Sequence, residues 1–112
     1  MYNYVFLVGR IVRDVEIHKT KTNQSVATLT LAVTRPFKNA TTNVSDVDFI
    51  NITLWNPICD SIAEWKKKGD LVGVKGRLQT RVDKDENGND YTYLEIIGER
   101  VIFLSTAKNT ED

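Results

Sequence analysis

Residues 46–56 read DVDFINITLWN, and their alternation decides the architecture. Ile50, Ile52 and Leu54 fall on one side of an extended chain, and Phe49, Asn51, Thr53 and Trp55 on the other. Successive side chains of a strand point to opposite faces. The first side is a core face. The second is polar yet carries two large aromatic rings, which a solvated strand face does not need.

The same period recurs along the chain. NYVFLVGRIV (3–12) is rich in β-branched and aromatic residues. SVATLTLAVT (25–34) sets Ala27, Leu29, Leu31 and Val33 against Thr28, Thr30, Ala32 and Thr34. LVGVKGRLQTR (71–81) sets Val72, Val74, Leu78 and Thr80 against Lys75, Arg77, Gln79 and Arg81. DYTYLEIIGERVIFL (90–104) reads as one long strand or two. Period-two runs separated by turn residues predict an antiparallel sheet protein. The breaks are KTKTNQ (19–24), a hairpin; KNATTNVSD (38–46), a longer polar loop; and DKDENGND (83–90), whose Asn-Gly pair predicts a projecting hairpin.

NPICDSIAEWKKKGD (56–70) is the exception. Asn56 is suited to the N-cap and Pro57 to the first helical position. Ile58, Ile62 and Trp65 form an apolar stripe, so Trp65 reads as core. The Lys66–Lys68 run complements a helix C-terminus, and Gly69 can end the helix. One helix between the third and fourth strands of a five-stranded antiparallel set is the order of an OB-fold, a Greek-key β-barrel.

The 112 residues suit one domain, expected over residues 1–105, with 106–112 a short disordered tail. A domain of this size buries only roughly two-thirds of its unfolded surface, so oligomerisation would help it. There is no long apolar run to span a membrane, and MYNYVFLVGR does not read as a secretory signal. Cys59 is the one cysteine, consistent with a reducing cytoplasm. It sits beside Ile58 and Ile62 and reads as a buried structural thiol.

Nothing in the chain has the pattern of a catalytic or metal centre. His18 is the one histidine, and it reads as a surface residue at a strand end. Asp83, Asp85, Glu86 and Asp90 lack the calcium-loop pattern and read as a solvated hairpin tip. No cofactor and no metal are expected.

The formal net charge is zero, but its distribution is uneven. Residues 1–45 hold six basic side chains against two acids, and residues 71–82 hold Lys75, Arg77 and Arg81 with no acid. Residues 83–112 hold eight acids against three bases. A neutral sum can hide a basic face and an acidic one. A sequence-tolerant binder of single strands needs basic groups along a groove and aromatic rings on which bases stack. Phe49 and Trp55 supply rings, with the small hydrogen-bonding groups Asn51 and Thr53 between them. Lys75, Arg77 and Arg81 supply charge, and the expected loop TRPFKN (34–39) adds Phe37 between Arg35 and Lys38. Tyr91 and Tyr93 share one face of the last strand, where stacking, interface and plain packing roles all fit. Tyr2, Tyr4 and Phe6 read as packing or subunit contact, and Leu78 and Val82 as core or barrel rim.

FLVGRIVRD, ATLTLAVTRPFKN, DFINITLW, KKGDLVGVKGRLQTR and NGNDYTYLEI, in this order over residues 3 to 104, resemble the bacterial single-stranded DNA-binding protein family. The resemblance implies an OB-fold without catalytic activity or required cofactor. It implies a homotetramer that wraps single-stranded DNA in replication, recombination and repair. It places the family's stacking positions on Phe37, Phe49 and Trp55 and a basic position on Arg81. The family often has a further aromatic where this chain has Asp83. Typical members also continue into a linker with an acidic tip that recruits partner proteins, whereas this sequence ends at NTED. It thus resembles a tail-less paralogue of natural transformation, plasmids or phages, or a trimmed domain, for which tail-dependent partners are not expected.

The resulting expectation is sequence-independent binding of single-stranded DNA in the cytoplasm, in association with the nucleoid. Phe37, Phe49 and Trp55 stack bases; Arg10, Arg35, Lys75, Arg77 and Arg81 meet phosphates; Asn51 and Thr53 hydrogen-bond the strand. The competing readings are an OB-fold protein-interaction module, such as a primosome-like subunit, and an RNA binder using the same surface.

Overall fold

A computed structural model describes residues 1–106; the expected tail lies outside the described residues from position 107 onward. The elements are β1 (Val5–Ile11), β2 (Ile17–Lys19), β3 (Ser25–Lys38), β4 (Ser45–Trp55), α1 (Ile58–Trp65), β5 (Leu71–Lys84) and β6 (Asp90–Ser105). The short β2 pairs with the start of β3 and precedes the expected 19–24 turn. The DVDFINITLWN segment is therefore β4. Residues 90–104 form one strand rather than two.

The strands are ordered β1-β5-β6-β4-β3-β2, and β1 also pairs with β3. That extra pairing closes β1, β3, β4, β6 and β5 into a barrel, with β2 on the outer edge of β3. β4 and β6 run parallel and the other pairs antiparallel. With α1 leading from β4 into β5, this is the OB-fold.

The alternating apolar positions fill the barrel. Leu29, Leu31, Ile52, Leu54 and Val72 are fully buried, and Ile11, Val74 and Ile62 nearly so. Cys59 joins them, and burial pushes its thiol pKa up. Leu78 and Val82 lie on the exposed side of the rim, because β5 continues past the barrel into a hairpin arm with β6.

The helix is shorter than its sequence pattern. It ends at Trp65, and Lys66 is its extended C-cap. Pro57, not Asn56, stands at the N-cap, without a side-chain cap. The Asn56 amide instead donates to the Ser25 carbonyl, extending the β3–β4 ladder. Trp65 is 68% exposed, a correction to its reading as core. Cys59 and Ile62 are the buried residues of this eight-residue helix, and its last position reaches beyond the barrel end that they plug. Lys67 and Lys68 lie after the helix in a turn, where their amides donate to Asp70 and Asp14. Gly69 there has φ 93°, a left-handed conformation that glycine adopts without penalty.

Candidate nucleic-acid interface

The polar side of β4 is the centre of the candidate site. Phe49 is 68% exposed, Asn51 is exposed, and Thr53 and Trp55 are half-buried. Phe49 and Trp55 are six residues apart on one strand, roughly 20 Å, so they address different nucleotides rather than clamping one base. Asn51 and Thr53 are already engaged. Thr30 Oγ1 donates to Asn51 Oδ1 at 2.7 Å, and Thr53 Oγ1 donates to Glu95 Oε2 at 2.9 Å. These bonds tie the β4 face to β3 on one side and β6 on the other.

Glu95 then links β6 to β5. Its Oε1 accepts from Gln79 Nε2 at 3.0 Å and from Arg81 Nε at 2.7 Å. Burial pulls the Glu95 carboxyl pKa upward, but hydrogen bonds from Arg81, Thr53 and Gln79 outweigh it and hold it below the ordinary glutamate range. The same pair raises the pKa of Arg81. Sequence reasoning missed Glu95. Its signal was its place two residues after Tyr93, on the face that Tyr91 and Tyr93 share.

The other cations are distributed around this centre. Arg77 donates to Glu99 Oε2 at 2.9 Å and, more weakly, to Gln79 Oε1 at 3.4 Å. Arg10 lies in a row with Ala32 and Phe49 across the β1–β3–β4 ladder, with its guanidinium on the Gly69 carbonyl at 3.0 Å. Lys75 is drawn to β1, with its Nζ 5.7 Å from the Tyr4 ring centroid. Beside it β6 bulges, since Lys75 pairs with Arg100 and Gly76 with Gly98, leaving Glu99 as the extra residue.

Arg35 and Phe37 stand apart from this cluster. They belong to β3 rather than to a loop, within a register shift between Thr34 and Lys38. Pro36 lies there and has no N–H for a ladder bond. Arg35 makes a two-pronged contact with Asp48, at 3.0 and 2.9 Å, and is 3.6 Å from Asp46. By alternation, both carboxylates lie on the other side of β4 from Phe49. The hydrogen bond to Asp48 and its charge raise the Arg35 pKa, and Arg35 holds the Asp48 carboxyl below its usual range. Phe37 is exposed at the end of β3.

Arg35, Arg77 and Arg81 are thus each paired with a carboxylate of the chain itself. Apart from Glu95, these groups are about half exposed. The half-exposed pairs Arg35–Asp48 and Arg77–Glu99 contribute little to stability, so a phosphate can take over their guanidinium groups at small cost.

The remaining features lie around this face, His18 sharing a row with Val26 and Trp55 across β2, β3 and β4. His18 is exposed on β2, as its sequence position implied, beside Arg13, Asp14, Glu16, Thr28 and Thr30 around an open cleft of ≈ 370 Å³. At the β5–β6 tip, Asp85 Oδ1 accepts from the amides of Asn87 and Asn89, and Lys84 pairs with Asp90. Among the described residues, no group of three or more His, Cys, Asp or Glu side chains has metal-site geometry.

A closed OB barrel that presents rings on one strand and guanidinium groups on other strands of the barrel belongs to the class of oligonucleotide-binding folds. The family model of the "Single-strand binding protein family" matches residues 2–104. The chain belongs to that family. It is 41% identical over 111 residues to the "Single-stranded DNA-binding protein" of Streptococcus mutans, covering 99% of this chain and 67% of the relative. It is 42% identical over 109 residues to "Single-stranded DNA-binding protein 3" of Listeria innocua, covering 97% of this chain and 68% of the relative. Among solved structures it is similar to "Plasmodium falciparum SSB complex with ssDNA", with TM-score 0.76 and 29% identity over 94% of this chain and 96% of that one.

Proposed function

We propose that this protein binds single-stranded DNA without sequence preference, stacking bases on Phe49 and Trp55 and on Phe37 at the end of β3. The observation that carries the proposal is the β4 face, where Phe49 is left open to solvent, with Arg10 of β1 in its ladder row and Arg81 of β5 linked to Thr53 through Glu95. Arg77 and Arg81 meet phosphates on the β5 side, Arg10 on the β1 side, and Arg35 and Lys75 at the margins. Asn51 and Thr53 hydrogen-bond the strand between the two rings. The family match and the names of the relatives support the choice of DNA. The protein binds rather than catalyses, and it needs no cofactor for stacking and ion pairing.

The proposal includes a homotetramer. Phe6 and Val8 are exposed on β1 and Tyr4 just before it, with Ile102 and Leu104 exposed on β6. Phe6 and Leu104 both flank Gly73, with ring and methyl carbons 3.1 and 3.8 Å from where a Cβ would sit. An apolar face of this extent is suited to contact between copies. The protein then serves replication, recombination, repair or DNA uptake in the cytoplasm, associated with the nucleoid. Among the described residues no helix is long and apolar enough to cross a membrane.

Titration of intrinsic tryptophan fluorescence with oligo-dT tests the function. Strong quenching by oligo-dT, and weaker quenching by oligo-U, is expected. No quenching with either would point to a protein-interaction module, and stronger quenching by oligo-U to an RNA binder.

A further inference from the structure

We infer that Glu95 is a positioning residue for DNA binding: its carboxylate holds Arg81 by Nε and leaves the two outer nitrogens of the guanidinium open to a backbone phosphate. This rests on the reading under Proposed function and deepens it. Arg81 Nε donates to Glu95 Oε1 at 2.7 Å, and neither Nη1 nor Nη2 makes a hydrogen bond among the described residues. The other arginines of the site are spent differently. Arg35 gives Nε and Nη2 to Asp48, with Nη1 3.6 Å from Asp46. Arg77 gives Nη1 to Glu99 and Nη2 to Gln79, and Arg10 gives Nη1 to the Gly69 carbonyl. Arg81 is the one that keeps its outer fork whole, and that fork can take a phosphate by two bonds at once.

Burial makes the pair durable. The Glu95 side chain is 14% exposed and that of Arg81 46%, so the carboxylate is the inner partner and the guanidinium the outer one. Taking Arg81 away would leave a mostly buried carboxylate one partner short, which is costly; a phosphate therefore adds to the pair instead of replacing it. Glu95 faces Gln79 across the β5–β6 ladder, next on the same face to the pair of Arg81 and Tyr93. It also accepts from Gln79 Nε2 at 3.0 Å and from Thr53 Oγ1 at 2.9 Å. Thr53 lies between Phe49 and Trp55 on β4, so one carboxylate fixes the guanidinium relative to the strand that carries the rings. An arginine ordered before binding loses less rotamer freedom when the phosphate arrives. Glu95 is a like charge to that phosphate, but both of its oxygens are already occupied. Tyr93 and Asp83 are the other groups whose charge acts on Arg81; Asp83 faces Tyr91 in the ladder, and its carboxylate accepts from the Lys84 amide at 2.8 Å.

The experiment is a double-mutant cycle on Glu95→Gln and Arg81→Gln, read by oligo-dT titration over a range of salt, with urea unfolding on each protein. Glu95→Gln keeps the shape of the side chain and removes the charge that holds Nε. It is expected to weaken binding by about threefold to tenfold and to lower the salt slope by up to about 0.7. In the Arg81→Gln background it is expected to change neither. Arg81→Lys keeps the positive charge, but one ammonium group cannot serve the carboxylate and a phosphate separately; it is expected to bind about as weakly as Arg81→Gln. Tighter binding by Glu95→Gln overturns the inference, because the carboxylate is then a competitor of the phosphate for Arg81. An equal loss from Glu95→Gln with and without Arg81 overturns it too, since Glu95 then only holds the fold. So does parent-like binding by Arg81→Lys, which makes charge alone sufficient; this variant decides the matter if Glu95→Gln does not fold. If the parent protein itself fails to bind oligo-dT, it is the proposed function that falls.

Discussion

At the scale of single residues, the site is a set of rings and a set of ion pairs with different consequences. Replacing Trp55 by alanine is expected to cost about 1–3 kcal/mol of affinity for oligo-dT, the worth of one base–ring stack. Equilibrium titration checks this, and an unchanged affinity would remove Trp55 from the track. Trp65 is the control, since the helix end lies off the β4 face; Trp65→Ala should leave the affinity as it is. Glu95 governs stability rather than stacking. Its carboxyl is held below the ordinary glutamate range in the fold. A depressed folded value means that its stabilisation is present above the unfolded glutamate value and is lost as pH falls through the folded one. Urea midpoints should therefore fall as pH is lowered below about 5, and less steeply in Glu95→Gln. The ring residues were legible from period two alone. Glu95 was not, because a carboxylate amid basic side chains acquires meaning only once Thr53, Gln79 and Arg81 are seen to converge on it.

At the scale of elements, the β5–β6 pair does most to shape the site. Its bulge leaves Glu99 as the extra residue of β6 opposite Lys75 and Gly76, and Arg77, Gln79 and Arg81 of β5 reach Glu99 and Glu95. The bulge depends on glycine, since a Cβ at Gly76 would run into the Ile97 carbonyl oxygen. Gly76→Ala is expected to destabilise the fold by about 1–3 kcal/mol, as overpacking does, measured by urea unfolding. The five long strands and the helix were readable because alternation and turn chemistry are local. The helix boundaries were not. Ile58, Ile62 and Trp65 have helical spacing, but the barrel end accepts only the first turns, and the stripe outruns the surface that it can cover. The end of β3 was likewise read as loop, because Pro36 and the polar residues after it conceal a ladder that resumes at Lys38.

At the scale of the whole molecule, charge governs binding, and the proposed assembly is open to direct test. The formal net charge is zero, so attraction to DNA comes from the arrangement of cations rather than from their sum. Affinity for oligo-dT should fall linearly with the logarithm of salt concentration, by about 0.7 per phosphate neutralised. Arg77→Gln should lower that slope by about the same amount if its guanidinium meets one phosphate. Assembly is tested at the apolar face of β1. Phe6→Asp is expected to reduce the mass found by light scattering from four copies to fewer, while a protein already monomeric before substitution would refute the tetramer.

The amino-acid order was sufficient for the class of fold, for the core and for the rings of β4. Each of these follows from which residues alternate along one extended segment, and alternation is a property of neighbours in the chain. The guanidinium–carboxylate pairs, the exposure of Trp65 and the joining of Glu95 to the β4 face arose only on closing the barrel. They depend on which strand lies beside which and in what register, and that is set by contacts between residues far apart in the chain.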